Sequence, residues 1–282
     1  SLKGGIDYLA SSYVKGALTA MLNARYAEKA LEPDCPFLQA GCDDSEYLVS
    51  RTKDAFNINV VAKPGKMLEA YGAALREAKR AKDFGFTASE YLRYKDDFMS
   101  SLDKIYSNRD KMKNEQFTTQ YVDNFIANEP IPSVEDEYQI YKMMVPNLPV
   151  DVVNAYAKKL ICETDTNFVT LVMMRDVEGG VYPTQEQLAN VVKQVRGEKL
   201  EAYVDNVKQE PLMAQLPKAG KIKKTTENKQ FGFKLLTLSN GAKVVLKKTD
   251  YKNDEVQFVA SALGGSSAFD KKDYREVKMM PS

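Results

Sequence analysis

Chemistry at neutral pH most often begins at a histidine, and this sequence has none among its 282 residues. The chain by itself therefore cannot build a histidine-ligated catalytic metal centre, a Ser/His/Asp or Cys/His nucleophile, or an imidazole proton shuttle. A Walker loop and a Gly-x-Gly-x-x-Gly turn are absent as well. Catalysis would have to rest on carboxylates, lysines or tyrosines. Carboxylates cluster at Asp43-Asp44, Asp96-Asp97 and Glu135-Asp136-Glu137, but adjacent residues on a helix or strand point apart, so these read as solvated charge or helix N-terminal charge. The sixteen tyrosines could line a peptide-binding cleft, but stripes at helical spacing read rather as core positions whose hydroxyls reach water. Gly264-Gly265-Ser266-Ser267 could cradle an anion only if a helix followed, and no strong helix start does. Cys35, Cys42 and Cys162 are too few and too irregularly spaced for a disulfide framework or a structural zinc module. They read as small core residues, with a Cys35–Cys42 pairing left open. No catalytic, cofactor-binding or metal-ligating residue is assigned.

The elements that would have to position any site are legible from periodicity. Leu9, Tyr13, Ala17, Met21 and Ala24 share one helical face, in a segment ending at Pro33. Phe37–Gly41 and then Tyr47–Val61 read as extended, giving two or three antiparallel strands before the turn at Pro64-Gly65. Leu68, Tyr71, Leu75 and Ala78 return to helical spacing, and Gly85 supplies the stop. Thr87-Ala88-Ser89-Glu90 is a capping box flanked by Phe86 and Tyr91. Tyr91, Tyr94, Phe98, Leu102 and Ile105 continue one stripe to about Ser107, and Phe117, Tyr121 and Phe125 form another. Both stripes read as core. Ser133 can cap a helix carrying Ile140, Tyr141 and Met144, and Pro149 suits the first turn of one carrying Val153, Tyr156 and Leu160. Phe168–Met174 is an apolar run of strand length, and Thr184 with Gln187 opens a helix to about Glu198.

From Asp205 to Gln230 the periodicity fails. Pro211, Pro217 and Gly220 break the chain, and Lys218, Lys221, Lys223, Lys224 and Lys229 make it basic. This reads as a linker, compatible with a short edge strand around Ile222. Asn240-Gly241 between Phe233–Leu238 and Val244–Leu246 is a hairpin signal, with Val256, Phe258 and Ala260 as a third strand ending at Gly264-Gly265. Three strands without covering helices bury no proper face, so a second domain is incomplete here. The fold class is thus α+β: an antiparallel sheet with helices on one face, a linker, and the first strands of a second, truncated α+β domain.

A composition of 44% apolar and 28% charged residues suits a globular chain, and a net charge of +1 offers no field for gripping nucleic acid or an anionic membrane. No window approaches the roughly 18 apolar residues of a membrane span. The N-terminus lacks a signal-peptide pattern, and Ser1-Leu2-Lys3 without an initiator methionine suits a chain trimmed from a longer one.

Several stretches, in order, resemble the pitrilysin/insulinase-type zinc metallopeptidases. They are Leu22-Asn23-Ala24-Arg25-Tyr26 with Pro36-Phe37-Leu38-Gln39-Ala40-Gly41, Gly85-Phe86-Thr87-Ala88-Ser89-Glu90-Tyr91-Leu92, and Leu238-Ser239-Asn240-Gly241-Ala242-Lys243-Val244 with Gly264-Gly265-Ser266. The resemblance implies two homologous halves enclosing a chamber. Residues 1–205 would be the non-catalytic second subdomain of the first half, 206–230 the interhalf linker, and 231–282 the opening strands of the second half. It implies zinc in the parent protein, held by an H-x-x-E-H motif that this chain lacks. Asp270-Lys271-Lys272-Asp273-Tyr274 stands where the second half would carry that motif. The expected function is a fragment of a zinc metalloendopeptidase acting on peptides, inactive alone, with the strand around Phe37–Gly41 walling the chamber. The alternative is a non-catalytic core, regulatory or partner-binding subunit of the same family. An unrelated scaffold domain would show a different sheet topology. Expected partners are the remaining subdomains and a peptide, with neither nucleic acid nor a membrane span. A dimer is compatible, and a periplasmic or envelope location in a Gram-negative bacterium follows by analogy.

Overall fold

A computed structural model of the chain describes residues 5–47, 53–176, 179–206, 213, 215–252, 255–273 and 275–276. Ser1-Leu2-Lys3, Pro211, Tyr274 and the start of the second extended run, 48–52, lie outside the described residues. The first element, α1 (Ile6–Ala30), buries Leu9, Tyr13, Val14, Ala17, Leu18, Met21, Leu22, Arg25 and Tyr26, an unbroken 3.6-period stripe. It ends before Pro33 and is followed by two antiparallel strands, β1 (Phe37–Glu46) and β2 (Asp54–Ala62). The register sets Cys42 opposite Ile58, and a bulge sits between Phe37 and Gln39.

Against this hairpin and α1 lies α2 (Met67–Phe84), whose packed side is made of small residues: Ala70, Gly72, Ala73, Ala74, Ala78 and Ala81. Small side chains let the backbones approach, close enough for the buried Tyr26 hydroxyl to donate to the Ala74 carbonyl at 2.9 Å. Gly85, at φ 77°, terminates α2. A Cβ there would also lie 2.6 Å from Asn154 Cγ, so glycine is required both for the left-handed backbone and for the approach. Thr87 and Glu90 form the expected capping box of α3 (Ala88–Ser107).

Beyond a short 3₁₀ turn at Arg109–Lys111 come α4 (Asn114–Ala127), α5 (Val134–Asn147), capped by Ser133, and α6 (Val150–Leu160), for which Pro149 is the N-cap. A further helix, α7 (Gln185–Gly197), opens on the Thr184–Gln187 capping box. Tyr13, Phe98 and Tyr141 form an edge-to-face aromatic cluster with centroids 4.9 and 5.0 Å apart, tying α1 to α3 and α5. The core of α1, both strands and α2, α3, α5 and α6 is continuous. The architecture is α+β.

Several expectations are corrected, beginning with Ile105 at the end of the α3 stripe, which is exposed. The Phe117, Tyr121 and Phe125 stripe is not core: α4 buries no residue, and Phe125 is 90% exposed. Phe168–Met174 is extended but pairs with no strand among the described residues, leaving Val169, Leu171 and Met173 exposed. The outer edge of β2 is left without a second neighbour among the described residues. Val256, Phe258 and Ala260 likewise form no strand. The second sheet has the order β3 (Ile222–Asn228), β4 (Phe233–Leu238), β5 (Lys243–Leu246), all antiparallel. Thus the edge strand around Ile222 exists within the basic stretch. The β4–β5 turn carries Gly241 at φ 87°, with Asn240 Oδ1 accepting from the Ala242 amide at 3.0 Å. Gly265–Ala268 is one 3₁₀ turn, followed by a second at Lys271–Asp273.

Candidate functional site

A concavity lies where α1 crosses the free edge of β1. In an antiparallel pair, residues alternate between turning their amide and carbonyl toward the partner strand and away from it. Cys42 turns them away from β2, and the side chain of Asn23 on α1 takes both. Asn23 Nδ2 donates to the Cys42 carbonyl at 3.0 Å and Oδ1 accepts from the Cys42 amide at 2.6 Å. A side-chain amide thus replaces a neighbouring strand at one rung. Two residues earlier, Ala40 has the same orientation without such a plug. Around it opens a groove of about 690 Å³, walled by Asn23, Tyr26, Ala27 and Ala30 of α1 and by Leu38–Asp43, with Asn59 and Val61 of β2 at its rim.

The paired carboxylates at its end point apart, as the pleat requires. Asp43 faces outward and accepts from Ser45 Oγ (2.7 Å) and Asn57 Nδ2 (2.9 Å). Asp44 turns inward, where its side chain is 2% exposed, accepts from the Tyr156 hydroxyl at 2.5 Å and lies 3.6 Å from Lys15 Nζ. This corrects the reading of Asp44 as solvated charge. Burial and then Asp44 push the Tyr156 phenol well above its ordinary range. Cys42 also faces inward. Burial, and after it the charges of Asp43 and Asp44, raise its thiol to about 12, so it is a neutral core group. The groove therefore offers backbone groups, amides and apolar walls but no nucleophile. Its width and its open backbone edge suit an extended chain.

The other candidate residues disperse. Asp96 and Asp97 are exposed on α3, Glu135 pairs with Arg109 at 2.7 Å, and Asp136 caps with Ser133. Burial raises the Glu137 carboxyl. The five basic-stretch lysines, Lys218, Lys221, Lys223, Lys224 and Lys229, are exposed, as read. Cys35 and Cys42 are buried and unpaired, whereas Cys162 is exposed, correcting its placement in the core. Among the described residues no group of three or more Cys, Asp or Glu is placed to hold a metal. With no histidine either, the donor set does not fit a catalytic zinc.

Sequence reasoning passed over one buried charge cluster. Arg25 and Glu90 are bidentate at 2.7 and 3.0 Å, and Arg25 Nη2 also donates to the Gly85 carbonyl at 2.9 Å. The pair welds α1 to the start of α3. Its signal was an arginine between Leu22 and Tyr26, both on the buried face.

No family model matches the chain. A zinc protease PQQL-like of Arabidopsis thaliana is 28% identical over 205 residues, covering 71% of this chain and 21% of that protein. The chain thus spans about a fifth of the length of that curated relative. The periplasmic protease PqqL from Escherichia coli shares its fold with TM-score 0.58 at 17% identity, over 87% of this chain and 27% of that one. A predicted insulinase family protease from Yersinia pestis aligns with TM-score 0.57 at 12% identity, over 68% of this chain and 40% of that one. At these identities the structures speak to the fold alone. Together with the sequence relative, they bear out the resemblance to the pitrilysin/insulinase-type metallopeptidases.

Proposed function

We propose that the chain is part of a zinc-dependent metalloendopeptidase that degrades or processes peptides within a two-half chamber, and that it is inactive alone. The observation that carries this is the β1 edge beside α1, plugged by Asn23 at Cys42 and open at Ala40: a peptide-holding groove without catalytic groups, in a fold shared with known proteases. Zinc belongs to the parent protein, outside this chain. Residues 1–205 act as the second subdomain of the first half; because β3 pairs with β4, the segment joining the halves ends before Ile222, and the β3–β5 sheet opens the second. The bare outer edge of β2, the unpaired run Phe168–Met174 and the uncovered β3–β5 sheet support burial against other subdomains of one polypeptide.

A periplasmic or envelope location is proposed by analogy with PqqL, described as periplasmic. No helix among the described residues is long and apolar enough to cross a membrane. The second reading, a non-catalytic core, regulatory or partner-binding subunit, is favoured by the lack of histidine and by Asp270–Asp273 after Gly265.

Expression of the parent reading frame with an assay for cleavage of an unstructured peptide separates the two. Chelator-sensitive cleavage supports the peptidase. Its absence, in a folded parent without H-x-x-E-H, supports the subunit.

A further inference from the structure

Residues 198–206, which follow α7, form neither helix nor strand, yet they are fastened to three helices. Glu198 accepts from Arg76 Nε and Nη2 of α2 at 2.5 and 2.8 Å. The Glu201 carbonyl accepts from Arg80 Nε at 2.9 Å. The Tyr203 ring lies 4.3 Å from the Arg25 guanidinium, which has Phe86 at 4.7 Å, and its hydroxyl donates to Glu28 at 2.5 Å. Asp205 accepts from Arg93 Nη1 at 2.8 Å and Ser89 Oγ at 2.5 Å.

We infer that residues 198–206 are a releasable strap, held closed by the Arg76–Glu198, Arg25–Tyr203 and Arg93–Asp205 contacts, which sets the length of the tether to the following sheet. Closed, the strap starts the tether at residue 206. Open, it lengthens the tether by about 30 Å, at roughly 3.3 Å per extended residue. Opposing features make it releasable. The Arg76–Glu198 and Arg93–Asp205 pairs are partly exposed, so salt screens them. Beneath Tyr203, the buried Arg25 Nη1 finds no acceptor among the described residues, and lifting the ring lets water reach it. The Arg25–Glu90 pair stays, so the helical layer survives opening. The consequence for a chamber that must open to admit peptide rests on the proposed function; the strap itself does not.

The chain has no tryptophan, so Tyr203→Trp places one fluorophore on the strap. At low salt its emission should be blue-shifted and resist acrylamide. Adding Glu198→Gln and Asp205→Asn, or about 1 M NaCl, should raise acrylamide quenching severalfold at unchanged far-UV circular dichroism. In the unsubstituted chain, the same salt should speed amide exchange of 198–206 while α1–α3 stay protected. Quenching and exchange that ignore salt and the latch carboxylates, or that rise only as helix is lost, would overturn the strap. Neither result bears on whether the parent cleaves peptides.

Discussion

A carboxylate at Glu90 is tolerable in the core because Arg25 meets it with two hydrogen bonds, beside those donated by the Thr87 amide and hydroxyl. Removing one partner leaves the other charge buried, which costs about 3–5 kcal/mol. Glu90→Ala should therefore lower the unfolding free energy by that amount in urea titrations. Arg25→Met combined with Glu90→Leu should recover most of it, because the uncompensated charge is gone. The cysteines divide by the same logic of burial. Cys162 is exposed, and the hydrogen bonds from Thr164, helped by Arg196 and Lys82, hold its thiol below the ordinary range. Its reactive thiolate should persist to lower pH than in free cysteine. In the native chain, Ellman's reagent should titrate it promptly, with Cys35 and Cys42 reacting only on unfolding. Two fast thiols would contradict their placement.

At the scale of elements, local signals proved legible. The Thr87–Glu90 and Thr184–Gln187 boxes, the Gly85 stop and the Asn240-Gly241 turn all form from residues within a few positions of one another. What sequence alone could not decide depends on partners distant in the chain. The α4 stripe has the period of a buried helix but no residue of α4 is buried, and Phe168–Met174 has the composition of a strand but pairs with none among the described residues. Periodicity reports which face could be buried, not whether something covers it. The contrast is measurable. Leu22→Ala, in the core of α1, should cost about 2–5 kcal/mol, whereas Phe125→Ser should change the stability of this chain by no more than about 0.5 kcal/mol. The site was half legible: the Phe37–Gly41 strand was expected to face substrate, but the plug by Asn23 required knowing that α1 crosses β1.

For the whole molecule, the groove gives a graded test within the parent. Ala40 turns its amide away from β2, so Ala40→Pro removes a free edge donor without breaking a rung of the β1–β2 ladder. If the parent cleaves peptides held there, this variant should raise KM about tenfold, the equivalent of about 1.4 kcal/mol of lost edge binding, with kcat little changed. An unchanged KM would move the peptide elsewhere. The division between a chain that holds and a parent that cuts is the central claim, and metal analysis tests it most directly. After dialysis against trace zinc, this chain should retain none and the parent one zinc per polypeptide. Zinc held stoichiometrically by this chain, or by neither, would contradict the account.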